Sequence, residues 1–111
     1  MSQTKELVAA SATPIILSIL AKGESYGYAI IQEIKELSDS EIEWTDGMLY
    51  PVLRRLEKQG QIRSDWRIGD NGKRRRYYWI EKFGKEQLKE HKRQWKMTNM
   101  VMTKLWGGAS C

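Results

Sequence analysis

The sequence is constrained most by a β-hairpin pattern close to residue 70. Asp70 is followed by Asn71-Gly72, a strong hairpin-turn signal because both Asn and Gly tolerate positive φ. Alternation before the turn places four side chains on one face of a strand: Ile62, Ser64, Trp66 and Ile68. After the turn, Tyr78 and Ile80 share a face of a second strand. We therefore expect two antiparallel strands joined by this turn.

Two helical segments open the chain. The first covers residues 4–21, but Thr13 is a good N-cap and Pro14 suits the first position of a helix. The main helix is therefore expected to start at Pro14, after a kink or a separate turn. The second segment covers residues 26–37 with Ser25 as its N-cap. Its apolar residues recur every three or four positions, which is typical of an amphipathic helix.

The third helical segment is predicted over residues 46–59, between the N-cap candidate Thr45 and the stop signal Gly60. Pro51 lies inside this segment and is expected to distort its first turns without breaking the helix. The buried stripe follows the i, i+3, i+4, i+7 pattern and consists of Leu49, Val52, Leu53 and Leu56. The opposite face is left to polar, charged and aromatic residues.

The chain is predicted to return to helix after the hairpin, over residues 82–106, where Leu88, Trp95 and Met102 repeat every seven residues. The element order predicts a mainly α fold with a small β-hairpin: a winged helix-turn-helix followed by a long C-terminal dimerisation helix. The predicted divisions are a DNA-binding domain over residues 1–81, the dimerisation helix over residues 82–106 and a disordered tail over residues 107–111.

Positive charge is clustered in the second strand of the hairpin. The chain has a net charge of +5, and four adjacent cations follow the turn: Lys73, Arg74, Arg75 and Arg76. Neighbouring cations repel one another, a cost that is relieved when phosphates supply the missing counter-charge. Alternate side chains of a strand face opposite ways, so one pair could reach a DNA backbone or minor groove. A solvated charge run is the simpler alternative, but the position beside a helix-turn-helix favours nucleic acid.

The outer face of the third helix is the second candidate for DNA contact. A helix with its apolar side on a small core and with Tyr50 and Arg54 outside suits a major groove. Gly47 near its start would let the backbone approach a phosphate, and the N-terminus of a helix favours an anion. Taken alone, such a face is more typical of an ordinary solvated helix. The basic hairpin beside it shifts the interpretation towards DNA.

Three segments of the sequence resemble the PadR family of bacterial transcriptional regulators. They are SYGYAI at residues 25–30, DGMLYPVLRRLE at residues 46–57 and GKRRRYYWI at residues 72–80. The resemblance extends over residues 13–106, and the LYPxLxRLE pattern is its most specific part. It implies a winged-helix repressor, dimeric through its last helix, that releases DNA when a small molecule binds. The length is similar to that of the short branch of the family, with one C-terminal helix.

The sequence departs from the family pattern at three positions. Met48 replaces a Thr whose hydroxyl would be available to DNA, Trp79 replaces a commonly basic residue, and Glu81 replaces a Thr that would cap the last helix better. These departures affect the expected DNA preference and wing contacts, not the architecture. The predicted DNA-contacting residues are Thr45, Asp46, Gly47, Met48, Tyr50, Pro51, Arg54, Arg55, Lys73, Arg74, Arg75 and Arg76.

The last helix is expected to dimerise along a partly polar seam. The predicted interface residues are Leu88, His91, Trp95, Thr98, Met102 and Leu105. Packing on the first helices of the same chain is the alternative, and different faces of the helix could serve both purposes. The resemblance implies that a Trp at the position of Trp95 lines an interface pore for planar aromatic compounds. An interface anchor without a ligand is the equal alternative.

Several classes of protein are excluded by what the sequence lacks. Cys111 is the only cysteine and His91 the only histidine, so neither an intramolecular disulfide nor a cysteine-based zinc site is expected. No catalytic motif is present, and we expect neither an enzyme nor a bound cofactor or metal. The most apolar run, residues 7–20, falls short of the roughly 20 residues that a membrane span needs. A cytoplasmic location without membrane contact is therefore expected.

The sequence thus predicts a homodimeric repressor that binds double-stranded DNA at a pseudo-palindromic site. Two-fold symmetry places the half-sites about one helical turn apart, roughly 34–36 Å. The effector would be a planar aromatic small molecule. A winged-helix module that binds proteins and not DNA is the alternative, and the unusual Met48 and Trp79 give it weight.

Overall fold

The computed structural model describes residues 5–107, which form four helices and a three-stranded antiparallel sheet. The elements are α1 (Lys5–Lys22), β1 (Ser25–Tyr26), α2 (Gly27–Leu37), α3 (Asp46–Lys58), β2 (Ile62–Ile68), β3 (Arg74–Ile80) and α4 (Lys82–Leu105). The predicted mainly α winged-helix architecture is confirmed. Apart from Gly107, the expected tail lies outside the described residues, as does Cys111.

The core is formed where α1, α2, α3 and the base of the sheet meet. Its fully buried side chains are Ile16, Leu17, Leu20, Ile30, Leu49, Leu53, Leu56 and Ile62. Three members of the predicted α3 stripe belong to this set, and the fourth, Val52, is partly buried against it. The stripe prediction is therefore confirmed, because period-3.6 burial requires one continuous apolar side.

α1 runs through Pro14, so the prediction that the main helix starts at this residue is wrong. Pro14 is buried, and its neighbours Ala12 and Ile16 on either side belong to the core. A proline inside a helix removes one backbone hydrogen bond. Packing of the turns on both sides of Pro14 offsets that loss here, which a local sequence signal does not reveal.

The prediction that Ser25 caps α2 is also wrong. Ser25 and Tyr26 form β1, which pairs with Tyr78 and Tyr77 of β3. The N-cap of α2 is Tyr26, with an extended backbone and no side-chain cap bond. A two-residue strand is too short to show any periodicity, and the sequence analysis missed it for that reason.

The hairpin has the predicted strands, and Asp70-Asn71-Gly72 lies between them as expected. Ile62 pairs with Ile80 at its base, and the strands separate after Ile68 and Arg74. The amide of Gly72 donates to the Gly69 carbonyl at 2.9 Å, and Gly72 alone in the loop has positive φ, at 78°. Residues 70–72 therefore form a three-residue loop in which Gly72 takes the left-handed conformation, and Asn71 does not.

α4 is joined to the sheet at its beginning and leaves the core after two turns. A β-carbon on Gly84 would lie 2.8 Å from Cγ1 of Ile80 and press on the Gln61 carbonyl oxygen. Leu88 is still buried, but residues 89–105 are exposed apart from the partly buried His91 and Thr103. No helix within residues 5–107 combines the length and hydropathy that crossing a membrane requires.

Candidate nucleic-acid interface

The outer face of α3 is exposed along its whole length. All eight residues predicted there, from Thr45 to Arg55, are solvent-exposed. Thr45 is the N-cap, as expected, but its side chain forms no cap hydrogen bond; its backbone carbonyl accepts from Met48 and Leu49 instead. Two adjacent arginines end this surface, and the structure separates their roles.

Arg55 is hydrogen-bonded to α1, whereas Arg54 has no acidic partner among the described residues. A guanidinium nitrogen of Arg55 donates to the Thr13 hydroxyl at 2.6 Å, which ties α3 to α1. Within residues 5–107, Arg54 forms no ion pair with an acidic side chain. Arg54 therefore keeps its charge available on the exposed face of the helix.

Tyr50 packs on the beginning of α2. A β-carbon on Gly27 would lie 2.9 Å from Cζ of the Tyr50 ring and collide with its hydroxyl. Gly27 is buried, and Tyr50 remains 38% exposed. The ring thus joins the two helices of the helix-turn-helix, and Gly27 leaves the space that this approach needs. This role of Gly27 was not predicted, although SYGY and LYP both belong to the motifs that carried the family resemblance.

The basic run of β3 is divided by strand alternation. Arg74 and Arg76 lie on the side of the sheet that faces α3, with their guanidinium carbons 4.9 and 5.7 Å from the ring centroid of Trp66. Arg75 lies on the other side, 4.5 Å from the centroid of Tyr26. Cation–π contacts of this kind favour a fixed guanidinium position. The four cations are therefore not equivalent.

Arg76 is also bonded inward. Its Nε donates to the Ser64 hydroxyl at 2.8 Å, and that hydroxyl donates to Oε2 of Glu57 at 2.8 Å. A nitrogen of Arg76 lies 3.8 Å from the other carboxylate oxygen of Glu57. These three residues connect the last turn of α3 to both strands of the hairpin. Lys73 and Arg74, by contrast, form no ion pair within the part of the chain that the structure describes.

The far side of the sheet balances its own charges. Arg67 lies over the rings of Tyr77 and Trp79, 5.3 and 5.9 Å from their centroids, and forms an ion pair with Glu24. The hydrogen bond to Glu24 raises the pKa of Arg67 above its ordinary value. An open cleft of about 410 Å³ lies beside Arg67, Arg75 and Glu24. Because acids and arginines alternate around it, this side has little net charge to attract a phosphate.

The predicted dimer seam on α4 is exposed except at its first residue. Leu88 is 5% exposed and belongs to the core of its own subunit, so it contributes to the fold. Further along, Trp95 is 55% exposed and Leu105 74%. The exposed apolar side chains of this half of the helix are Trp95, Met97, Met100, Val101, Met102, Leu105 and Trp106. His91 is partly buried and Thr98 exposed.

Comparison with known proteins agrees with this architecture. Residues 16–90 match the model of the Transcriptional regulator PadR-like family. The chain belongs to the PadR-like family. It is therefore a transcriptional regulator and not an enzyme. An uncharacterised protein of Lysinibacillus sphaericus is 35% identical over 81 residues, covering 73% of this chain and 74% of that protein.

Solved structures of PadR-like and related regulators superpose closely. A transcriptional regulator from Clostridium thermocellum is 35% identical with a TM-score of 0.80, over 90% of this chain and 97% of that one. A PadR-like transcriptional regulator from Bacillus cereus is 27% identical with a TM-score of 0.80, over 92% and 97% of the two chains. The likeness thus includes the winged domain and most of α4.

Two departures from the PadR pattern are partners in this chain. Nε1 of Trp79 donates to the Glu81 carboxylate at 3.1 Å, on the side of the sheet away from α3. Glu81 is the N-cap of α4 without a side-chain cap bond, because its carboxylate is turned to Trp79 and lies 3.9 Å from Arg63. Trp79 and Glu81 are thus hydrogen-bonded to each other at the junction of sheet and helix. Trp79 is thereby accounted for without a protein partner.

Three residues of the interface were not singled out by the sequence. Ser64 and Trp66 were recognised only as strand residues, and Glu57 only as part of a motif. Their roles depend on the pairing of Trp66 with Arg76, which brings Ser64 diagonally beside that arginine. The alternation of β2 placed both residues on the correct face. Contact with α3, however, depends on tertiary packing that the alternation does not encode.

Proposed function

We propose that this regulator binds double-stranded DNA as a homodimer, with α3 in the major groove and the hairpin on the flanking backbone. Regulators of the PadR family bind DNA. The observation that carries the proposal is an exposed α3 face with Arg54 beside a hairpin with Lys73 and Arg74, three cations that form no ion pair within residues 5–107. Unneutralised cations in this arrangement release counterions when they meet phosphates.

Within the proposed complex, the residues of the interface have different tasks. Arg54 and Tyr50 lie near bases or phosphates, and Gly47 lets the start of α3 approach the backbone, where the helix N-terminus favours an anion. Lys73 and Arg74 bind the flanking phosphates. Arg55 and Arg76 donate hydrogen bonds within the protein, and Arg75 lies on the side of the sheet away from α3, which makes all three weaker candidates for direct contact. Thr45, Asp46, Met48 and Pro51 complete the surface presented to the groove.

The dimer is proposed to form through the exposed half of α4. Seven large apolar side chains within the dozen residues 95–106 form more apolar surface than a monomer commonly leaves in water. A two-fold axis through this helix pairs two winged domains, which predicts a pseudo-palindromic operator with half-sites about 34–36 Å apart. The domain over residues 1–81 would bind DNA and the helix over residues 82–106 would dimerise.

Repression is proposed to end when a planar aromatic molecule binds between the two α4 helices. Trp95 is half-exposed, with Met97 and Met102 nearby in sequence, and flat rings and flexible thioethers suit such a ligand. A change in the angle between the helices would alter the spacing of the two recognition helices. An anchor role for Trp95 without a ligand predicts the same dimer but no such response.

The proposal is tested by selecting bound sequences from random duplex DNA and measuring affinity for the selected site against salt. The matched variants are Arg74→Ala and Arg63→Ala: both arginines are exposed in the hairpin, but Arg63 lies on the far side near Glu81. We expect Arg74→Ala to flatten the salt slope by about one unit and Arg63→Ala to leave it unchanged. A wild-type protein that ignores duplexes even in dilute buffer would overturn the proposal and favour a protein-binding module.

The effector is tested separately with planar aromatic dyes. We expect a dye to bind the wild-type dimer and weaken its hold on the selected operator, and Trp95→Ala to reduce the affinity for the dye. Lys96→Ala, an exposed truncation on the next position of α4, is the control. Equal dye binding by the wild type and the Trp95 variant would limit Trp95 to the anchor role.

A further inference from the structure

We propose that Arg76 is a positioning residue: together with Glu57 and Ser64 it forms a latch that fixes the hairpin relative to α3. The latch is defined by the hydrogen bonds that join these three side chains. The inference rests on the proposed DNA binding for its functional consequence. It gives one of the four cations of the basic run a structural role between the hairpin and α3, whereas the sequence suggested a phosphate contact.

The latch stands where the hairpin leaves the core. Along the α3 side of β2, Ile62 is completely buried, Ser64 is partly buried, Trp66 is 49% exposed and Ile68 is 75% exposed. Apolar burial therefore holds the base of the hairpin but fades at Ser64. Directional hydrogen bonds take over at that position, because they fix an orientation that a few exposed side chains could not.

The two arginines on this side of β3 are linked through Trp66. Arg76 reaches inward to Ser64 and Glu57, while the ring of Trp66 lies between it and Arg74, with centroid distances of 5.7 and 4.9 Å. A fixed Arg76 thus places the Trp66 ring, and the ring in turn places the Arg74 guanidinium. The position of Arg74, near the tip of the hairpin, therefore depends on the latch.

The ion pair of the latch is weak, and the geometry of its hydrogen bonds matters more. The side chains of Arg76 and Glu57 are 40% and 32% exposed, so solvent screens their attraction. The Ser64 hydroxyl accepts from one and donates to the other, which satisfies both polar groups in a single arrangement. A hairpin displaced from α3 would lose the Ser64–Glu57 hydrogen bond and the Arg76–Glu57 ion pair together, because Ser64 and Arg76 both belong to the hairpin.

Charge-conserving variants separate a latch from a phosphate contact. Ser64→Ala removes the central hydroxyl, and Arg76→Lys keeps the positive charge but loses the Nε donor and the planar stack on Trp66. We expect each to weaken operator binding about fivefold with an unchanged salt slope, a loss of the size expected for a charge-assisted hydrogen bond that is partly screened. Because both break the same latch, the double variant should be little worse than either single variant.

Arg63→Lys is the control, because Arg63 is an exposed arginine of the same hairpin but lies on the far side of the sheet, outside the proposed interface. We expect it to bind nearly as well as the wild type. If Arg76→Lys also binds like the wild type while Ser64→Ala has no effect, the positioning role is wrong. Fully additive losses in the double variant would equally overturn it, since they would show independent roles for Ser64 and Arg76.

A measurement without DNA keeps this inference distinct from the proposed function. Amide hydrogen exchange in residues 65–75 should be faster in Ser64→Ala and Arg76→Lys than in the wild type, and unchanged in Arg63→Lys. Unchanged exchange in all three variants would remove the latch even if DNA binding is established. Faster exchange in a protein that binds no duplex would support the latch and reject the proposed function.

Discussion

The two ends of this molecule differ in how many of their exposed side chains find a partner within one chain. Around α3 and the hairpin, exposed aromatic rings are covered by arginines, and acids pair with several of those arginines. Along the second half of α4, Trp95, Val101, Leu105 and Trp106 are all more than half exposed. In the first region, most aromatic rings therefore have partners within one subunit. The second is an exposed apolar surface of the kind that a partner commonly covers.

The comparison teaches that apolar surface and charge are distributed for different partners. Fully burying a large apolar side chain is worth roughly 1.5–3 kcal/mol, so the exposed half of α4 holds a large unused contribution. The hairpin instead carries Lys73 and Arg74, which form no ion pair within residues 5–107. On its far side, acidic residues neutralise the arginines. A second copy suits the former surface and a polyanion the latter.

The largest expected effect comes from two leucines of α4, one in the core and one in the exposed half. Leu88 is 5% exposed and Leu105 is 74% exposed. We expect Leu88→Ala to destabilise the subunit by about 2–5 kcal/mol, because it leaves a cavity in the core. Leu105→Ala should change the stability of the isolated subunit by no more than about 0.5 kcal/mol.

Urea unfolding over a range of protein concentrations measures both effects. Leu88→Ala should lower the midpoint at every concentration. Leu105→Ala should lower it only where dimers are populated, since association adds to stability by mass action. A midpoint that is independent of concentration in the wild type would show that α4 does not hold a dimer under these conditions.

A smaller effect compares two helical glycines. A β-carbon on Gly84 collides with the Gln61 carbonyl at the joint between β2 and α4, so Gly84→Ala should cost about 1–3 kcal/mol. Gly47 in α3 meets only the Thr45 hydroxyl, 3.7 Å away, and Gly47→Ala should stabilise the protein by about 0.5 kcal/mol. Thermal unfolding measures both. If Gly47→Ala leaves DNA affinity unchanged, the close approach of a phosphate at this residue is wrong.

The smallest effect concerns pH in the exposed half of α4. Hydrogen bonds from Arg93 and Gln94 lower the pKa of Glu90 to about 2. A lowered pKa in the folded state means that these bonds stabilise the helix above the ordinary pKa of Glu and are lost as the pH falls towards about 2. The helical circular dichroism of the wild type should therefore fall over this range more than that of Glu90→Gln. Identical acid profiles would show that the bonds contribute nothing measurable in solvent.

Local patterns were sufficient for some elements and insufficient for others. The i, i+3, i+4, i+7 spacing located the buried side of α3, and alternation placed Trp66 and Tyr78 on the correct sides of their strands. Pro14 and Ser25 were misjudged because each carries a strong local preference that neighbouring elements override: packing on both sides of Pro14, and strand pairing at Ser25. Leu88 fits the heptad seam, yet it belongs to the core of its own subunit, where α4 packs on α1.

The sequence by itself determined the order of the elements, the apolar side of each long helix and the concentration of positive charge after the turn. These follow from periodicity and composition, which act over a few residues. Only the tertiary structure decided which cations have partners, because the hydrogen-bond partners of Arg55, Arg67 and Arg76 lie 12 to 43 residues away along the chain. Charge is a property of a residue, whereas its availability depends on what the fold places beside it.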